Sequence, residues 1–193
     1  MSIASETSAP AYRIRPYGET AAAEALRPQI EEILLVSANP RRVADASSRA
    51  AFLARWLAPY TRGYPEHLLL AFSAAGQGER VLGVLSGCPD SAGATVFRDL
   101  HPYYRLFSDL YADYPAHFHI NCHPAHRGRG VGSHLVRAFL VRCRTAGLSG
   151  VHLVTAPGAR NVGFYRRNGF TDAIERAEDG RAYLFLGQRL AQA

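Results

Sequence analysis

The stretch from His117 to Phe170 constrains the fold of this chain more than any other segment. It begins as a strand with alternating polar and apolar residues, passes through the glycine-rich turn R-G-R-G-V-G, and continues as an amphipathic helix. A second apolar strand and a short helix that carries Tyr165 complete the block. A strand that leads through such a turn into a helix leaves unpaired backbone N–H groups at the helix N-terminus, which favours a bound pyrophosphate. The sequence therefore predicts that a phosphorylated ligand binds at this turn.

The spacing within the turn separates the classes of phosphorylated ligand. Arg127-x-x-Gly130-x-Gly132 lacks the lysine of the G-x-x-x-x-G-K-[ST] loop that binds nucleoside triphosphates. It also lacks the three-glycine pattern G-x-G-x-x-G of dinucleotide-binding folds. Coenzyme A fits the pattern better than either of these ligands.

Two motifs in this block resemble the Gcn5-related N-acetyltransferase (GNAT) family. The family pattern [RQ]-x-x-G-x-[GA] matches Arg127 to Gly132, and the later pattern Y-x-x-x-G-F matches Tyr165 to Phe170, with a helix and a strand between them. The resemblance implies an α/β (α+β) GNAT fold, in which a mixed central sheet of about six or seven strands is flanked by helices and has a splayed central strand pair. It implies direct transfer of an acetyl group from acetyl-CoA to a primary amine of a small molecule. Two alternatives stay open: a non-catalytic acyl-CoA-binding module and a protein N-acetyltransferase.

The same resemblance assigns roles to individual residues. Tyr165 occupies the position of the tyrosine that protonates the coenzyme A sulfur, and a backbone N–H near Cys122 would polarise the thioester carbonyl. The pantetheine arm would lie along the strand that ends at Cys122, and the pyrophosphate would lie on the turn. The residues implied to bind the cofactor are Ile120, Cys122, His123, Arg127, Gly128, Arg129, Gly130, Val131, Gly132, Ser133, Asn161 and Tyr165. An asparagine common seven residues before the tyrosine is replaced by Gly158, so Asn161 is expected to cap the helix or to reach the cofactor.

The strand H-F-H-I-N-C-H places His117, His119, Asn121 and His123 on one face. A polar face on a central strand is expected to look into a cleft, and a histidine there could take the proton that an amine releases. His119 is the first candidate for the general base, with His117 and Asp113 behind it. The alternative is that these side chains are hydrogen-bonded and only shape a polar pocket. Metal binding by the three histidines is a weaker alternative because no fourth ligand is evident.

Length and composition predict one domain over residues 11–193 after a flexible N-terminus over residues 1–10. The chain has 193 residues, of which 48% are hydrophobic. No apolar run approaches the roughly 20 residues of a membrane span, and the first residues do not resemble a signal peptide. Three scattered cysteines indicate reduced thiols and no disulfide framework. We therefore expect a cytoplasmic protein.

The net charge of +6 comes from 22 basic residues, all of them arginine. They are spread along the chain, so a nucleic-acid partner is not expected, whereas Arg127, Arg129, Arg166 and Arg167 suit an anionic cofactor. The abundance of arginine and alanine without lysine suggests a source genome rich in G and C. The segments Y-P-A-H-F-H-I and G-C-P-D resemble a bacterial subset of acetyltransferases akin to the acetyltransferase-like domain of O-GlcNAc hydrolases. That subset usually has an aspartate where this chain has Asn121.

The remaining elements follow from periodicity and from glycine and proline. Two helices are predicted, one from a cap at Thr20 to about Val36 and one over Arg42 to Leu57, followed by a loop at Pro59 to Pro65. The segments Val43 to Tyr64 and Cys88 to Tyr114 are expected to supply the acceptor pocket. A homodimer is a further expectation because dimers are common in the family. The other predicted strands are Tyr12 to Arg15, His67 to Ser73, Arg80 to Ser86, Val151 to Thr155, Gly169 to Ile174 and Arg181 to Leu186, and the helices that serve the site are Gly130 to Ala146 and Arg160 to Arg167.

Overall fold

One seven-stranded sheet forms the centre of the molecule. The computed structural model describes residues 12–21, 23–73, 79–101 and 103–191. The strands are β1 (Tyr12–Pro16), β2 (Leu68–Ser73), β3 (Val81–Cys88), β4 (Ala116–Cys122), β5 (Gly150–Thr155), β6 (Asp172–Glu178) and β7 (Arg181–Arg189). Their order in the sheet is β1-β2-β3-β4-β5-β7-β6, and β4 with β5 is the parallel pair among antiparallel neighbours. The expected mixed sheet of the GNAT fold is thus confirmed.

Helices cover both faces of this sheet. They are α1 (Ala23–Ser37), α2 (Ala46–Trp56), α3 (Ala58–Gly63), α4 (Val96–Leu100), α5 (Tyr103–Leu106), α6 (Val131–Thr145) and α7 (Val162–Arg167). Strand alternation divides the core: in β2, Leu68, Leu70 and Phe72 pack under α1 to α5, whereas Leu69 and Ala71 pack under α6. None of the described helices is both long and apolar enough to cross a lipid bilayer.

The parallel pair at the centre of the sheet is splayed. Only Ala116 with Val151 and His117 with His152 are in register between β4 and β5, although β4 continues to Cys122. Beyond His117 the β5-facing edge of β4 is therefore open to another backbone. This confirms the expected splayed strand pair and places a gap in the middle of the sheet.

The structure corrects three of the local predictions. Thr20 does not cap the first helix, because its hydroxyl donates to the carbonyl of Pro16 at 2.7 Å and the helix begins at Ala23. The second helix begins at Ala46, where Asp45 and Ser48 form a reciprocal capping box. The predicted loop at Pro59 to Pro65 is wrong as far as Gly63, since α3 occupies Ala58–Gly63. The expected flexible segment 1–10 lies outside the described residues.

Candidate active site

The cradle at the start of α6 is formed by backbone groups. Gly128 and Gly130 have φ angles of 73° and 84°, in the left-handed region that glycine adopts without strain. Gly130 is the N-cap residue, and no side chain caps the helix. The first backbone N–H groups of α6 have no acceptor one turn earlier, so they are free to bind an anion.

The two later glycines of the motif meet side chains of neighbouring elements. A Cβ at Gly130 would lie 2.9 Å from the Tyr12 hydroxyl, which fixes the turn from the edge of the sheet. A Cβ at Gly132 would lie 3.2 Å from the ring of Phe164 on α7. Gly132 thus allows α6 and α7 to pack closely.

A cavity of about 500 Å³ opens over this cradle. Among the predicted cofactor residues, the structure places at its wall Ile120, Cys122, Arg127, Gly128, Gly130, Val131, Gly132, Ser133, Asn161 and Tyr165. Asn121 and Arg167 line it as well, in agreement with the cleft expected along β4 and with the arginines expected to suit an anionic cofactor. Ser37, His126, Arg160 and Phe164 also line it, and sequence reasoning did not assign them to the site. We refer to it as the donor cavity. Its charged wall residues are arginines, which suits a ligand that carries phosphate groups.

Two predicted cofactor residues do not line the donor cavity. The Nδ1 atom of His123 accepts a hydrogen bond from the Ala125 N–H at 3.3 Å and so caps the short 3-10 turn that follows β4. The carbonyl oxygen of Arg129 accepts from the Tyr12 hydroxyl at 3.4 Å, and the residue is absent from the cavity wall. Both residues shape the turn in this structure.

Arg127 is held between two distant parts of the chain. Its Nε donates to the Cys122 carbonyl at 3.1 Å, and its Nη2 donates to the Ser37 hydroxyl at the end of α1 at 3.2 Å. The guanidinium is thereby fixed at the wall of the donor cavity. Such fixation reduces the side-chain entropy that is lost when a phosphate is bound.

A second cavity of about 230 Å³ adjoins the donor cavity. Both cavities share the wall residues Ile120, Asn121, Asn161 and Tyr165. The rest of the second wall is formed by Leu34, Ala38, Asn39, Arg42, Phe52, Trp56, Phe118, His119, Leu153 and Val154. We refer to it as the acceptor cavity. Phe52 and Trp56 come from one segment that was expected to supply this pocket, whereas the other segment, Cys88 to Tyr114, contributes no wall residue.

Tyr165 lies at the junction of the two cavities with 6% of its surface exposed. Burial raises the pKa of its phenol to about 12, and a hydrogen bond with the Asn161 side chain acts in the opposite direction. The Asn161 Oδ1 accepts from the Thr155 hydroxyl at 3.1 Å, which orients the amide at the end of β5. Tyr165 is therefore protonated at neutral pH and is placed to give a proton to an atom in either cavity.

Of the histidines on β4, His119 lines the acceptor cavity. Its ring packs edge-on against Trp56 at 4.8 Å, and burial lowers its pKa to about 4. The Nε2 atom of His119 has no hydrogen-bond partner among the residues that the structure describes. A buried nitrogen without a partner costs about 1–3 kcal/mol, which a bound ligand could recover.

The two other candidates for the base lie outside both cavities. His117 is buried, with Nδ1 at 2.8 Å from the Ser91 hydroxyl and Nε2 at 3.4 Å from the Tyr60 hydroxyl. Asp113 pairs with Arg189 at 2.8 Å near the opposite end of the sheet. The polar face of β4 therefore looks into a cleft only beyond His117, where the strands have parted.

The chemistry of this region disfavours a covalent intermediate on Cys122. Burial raises the pKa of the Cys122 thiol to about 11, so the thiolate needed for a covalent intermediate is scarce at neutral pH. Within the described ranges, no group of three or more histidine, cysteine, aspartate or glutamate residues is placed to hold a metal ion.

The sheet with its splayed pair, the cradle and the paired cavities define an acetyltransferase architecture. The family model described as "Acetyltransferase (GNAT) domain" matches residues 71–172, just over half of the 193 residues. The chain belongs to the GNAT family, as its motifs indicate.

Solved structures show the same fold. The chain is similar to the crystal structure of SsHAT, at 25% identity and a TM-score of 0.70, over 95% of this chain and 100% of that chain. It is also similar to YncA of Salmonella typhimurium, a putative acetyltransferase solved with acetyl-CoA, at 21% identity and a TM-score of 0.55, over 95% of this chain and 96% of that chain. The Drosophila melanogaster polyamine N-acetyltransferase gives 15% identity and a TM-score of 0.54, over 93% of this chain and 100% of that chain. The last two likenesses concern the fold alone.

Proposed function

We propose that this chain transfers an acetyl group directly from acetyl-CoA to a primary amine of a small molecule. The observation that carries the proposal is the shared wall of the two cavities, where Tyr165 and Asn161 face both. A donor held in one cavity and an amine held in the other would meet at this wall without a covalent enzyme intermediate.

The residues of the donor cavity fit coenzyme A. The free amides at the start of α6 would bind its diphosphate, and Arg127, Arg160 and Arg167 would add charge-assisted contacts. The open edge of β4 from Phe118 to Cys122 would hydrogen-bond the pantetheine arm, as a peptide adds to a sheet edge. When bound, acetyl-CoA supplies a thioester whose C–S bond is replaced by the C–N bond of the product amide.

Two side chains would carry out the proton transfers of this reaction. Tyr165 keeps its proton at neutral pH and would donate it to the departing sulfur. His119 is neutral at that pH and would accept the proton that the amine nitrogen loses. The aromatic wall of the acceptor cavity favours the uncharged amine, which is the nucleophilic form.

The test replaces Tyr165 with phenylalanine and follows thiol release from acetyl-CoA with a broad panel of amines. We expect kcat to fall by about 10²–10⁴-fold while coenzyme A still binds, because only the proton donor is lost. Tyr183→Phe is the matched control, since Tyr183 lies on β7 and lines neither cavity.

Three results would contradict this proposal in different ways. An unchanged kcat in Tyr165→Phe would remove the tyrosine from the mechanism. Binding of coenzyme A without thiol release from any amine would favour a non-catalytic acyl-CoA-binding module. Acetylation of peptide N-termini but not of small amines would favour a protein N-acetyltransferase.

We infer in addition that the reaction takes place in the cytoplasm. Cys88, Cys122 and Cys143 are free thiols, two of them buried, and thiols stay reduced in that compartment. The domain assignment, 11–193 as one unit, is part of the same proposal.

A further inference from the structure

The acceptor cavity has an uneven distribution of charge. Arg42 is the one charged side chain at its wall, and among the described residues neither an aspartate nor a glutamate lines it. The acidic residues nearest along the chain lie outside its wall: Asp45 caps α2 through the Ser48 N–H, Glu32 lies 3.9 Å from the His123 ring, and Glu31 pairs with Arg27. A polycationic amine would find no counter-charge in this cavity.

Arg42 is itself available for a ligand. It ends a short 3-10 turn, Pro40–Arg42, that the Asn39 side chain caps by accepting from the Arg41 N–H at 3.0 Å. No ion pair of Arg42 is present in the part of the chain that the structure describes. A guanidinium with free N–H groups at the wall of a cavity is suited to a carboxylate.

The body of the cavity is aromatic and small. Phe52 and Trp56 lie on adjacent turns of α2 with ring centroids 6.1 Å apart, and Trp56 also contacts His119. The volume of about 230 Å³ is less than half that of the donor cavity, at about 500 Å³, and suits a small molecule. Apolar or aromatic groups gain most from contact with such a wall.

We propose that the acceptor cavity takes a small primary amine that carries a carboxylate on an apolar or aromatic body. Arg42 pairs with the carboxylate, Phe52 and Trp56 contact the body, and the amine reaches the wall formed by His119 and Tyr165. This substrate class rests on the proposed acetyl transfer, and it would distinguish the chain from acetyltransferases of polycationic amines.

The experiment compares amines that differ only in charge. L-phenylalanine is paired with phenethylamine, which has the same ring and amine without the carboxylate, and agmatine serves as the cationic probe. Further amino acids with two or three carbon atoms between amine and carboxylate cover other positions of Arg42. KM and kcat are measured by thiol release for the wild type, Arg42→Gln and Arg42→Glu, with Arg41→Gln as the matched control because Arg41 shares the turn but not the cavity wall.

We expect at least one carboxylate-bearing amine to have a KM about 10-fold or more below that of its decarboxylated partner. Arg42→Gln should abolish the difference mainly through KM, Arg42→Glu should shift the preference toward agmatine, and Arg41→Gln should leave it unchanged. Added salt should raise KM for the carboxylate in the wild type but not in Arg42→Gln.

Two outcomes separate the substrate class from the proposed function. If phenethylamine or agmatine is used as well as the carboxylates, or if Arg41→Gln acts like Arg42→Gln, the substrate class is overturned while acetyl transfer stands. If no amine releases thiol, calorimetry of the same amines with the coenzyme A complex tests whether the acceptor cavity binds them. Binding that depends on Arg42 then supports the cavity assignment although the enzyme proposal fails, and absence of binding overturns both.

Discussion

Acidification should destabilise this protein unusually steeply, because three of its histidines are buried. His101, His117 and His152 each expose 2% of their surface and lie in one aromatic group with Tyr104 and Tyr111. Burial lowers the pKa of His101 to about 2 and of His152 to about 3, and it holds the pKa of His117 well below its ordinary value. In the folded state these rings stay neutral far below pH 6.5, whereas in the unfolded chain they take up protons near that pH.

The sign and size of the effect follow from this difference. Well above pH 6.5 neither state binds the protons and stability is at its plateau. Below pH 6.5 the unfolded state binds up to four more protons than the folded state, because the pKa of His119 is likewise lowered to about 4. At pH 5 each ring has lost about 2 kcal/mol, or about 8 kcal/mol for the four, against a total stability of about 5–15 kcal/mol. For an m-value of about 2 kcal/mol/M, the urea midpoint should fall by about 4 M between pH 7.5 and pH 5.

Urea unfolding at a series of pH values measures this loss. Equal free energies of unfolding at pH 7.5 and pH 8 would confirm that stability has reached its plateau. In His152→Gln the amide can still donate to the Tyr114 carbonyl, as the imidazole does at 2.7 Å, and the loss on acidification should shrink by about one quarter. A wild-type loss below about 1.5 kcal/mol would show that the folded state accommodates most of the protons, and the reasoning from burial would then be refuted.

Two further predictions concern the site. Gly130→Ala should weaken coenzyme A binding and lower stability by about 1–2 kcal/mol, because φ is 84° and the new Cβ would lie 2.9 Å from the Tyr12 hydroxyl. The control is Gly180→Ala, at a φ of 72° with open space in a distant turn. It should lower stability in thermal unfolding by a similar amount but leave coenzyme A binding, measured by calorimetry, unchanged. The pH profile of kcat/KM between pH 5.5 and 7.5 should lack a histidine step near 6.5, because the pKa of His119 is lowered to about 4 and the base is neutral throughout; a step near 6.5 that disappears in His119→Gln would contradict this.

The local part of the site could be predicted from the sequence. Strand β4, the turn at Gly128 and Gly130, and the start of α6 depend on alternation, glycine and helical periodicity, which act over a few residues. The placement of Tyr165 at the site came instead from the resemblance of Tyr165 to Phe170 to the family motif. These segments required no knowledge of the rest of the chain.

Residues that meet only through tertiary packing could not be predicted. Ser37 reaches Arg127 across 90 positions of sequence, and nothing in its own segment indicates that contact. Alternation placed His117 and His119 on one face of β4, but it could not show that β5 pairs with the strand at His117 and departs beyond it. One histidine is therefore enclosed and the next lines a cavity.

Proline misled the prediction at α3. Pro59 stands in the first turn of that helix, where its missing N–H has no intrahelical acceptor and its fixed φ suits the helix. In the sequence, the same residue followed by Gly63 and Pro65 suggests a loop. Position within the first turn, which depends on where the preceding helix ends, decides between the two outcomes.

The wall shared by the two cavities has a consequence for how the proposed activity could diversify. On one side of this wall, the start of α6 lines the donor cavity. On the other side, the turn Pro40–Arg42 and helix α2, which belong to a separate part of the chain, contribute to the acceptor cavity. Substitutions in that turn and helix would therefore alter which nucleophile is admitted without disturbing the binding of the proposed thioester. Selection can act on the two specificities almost independently, and Tyr165 and Asn161 are the points at which they remain coupled.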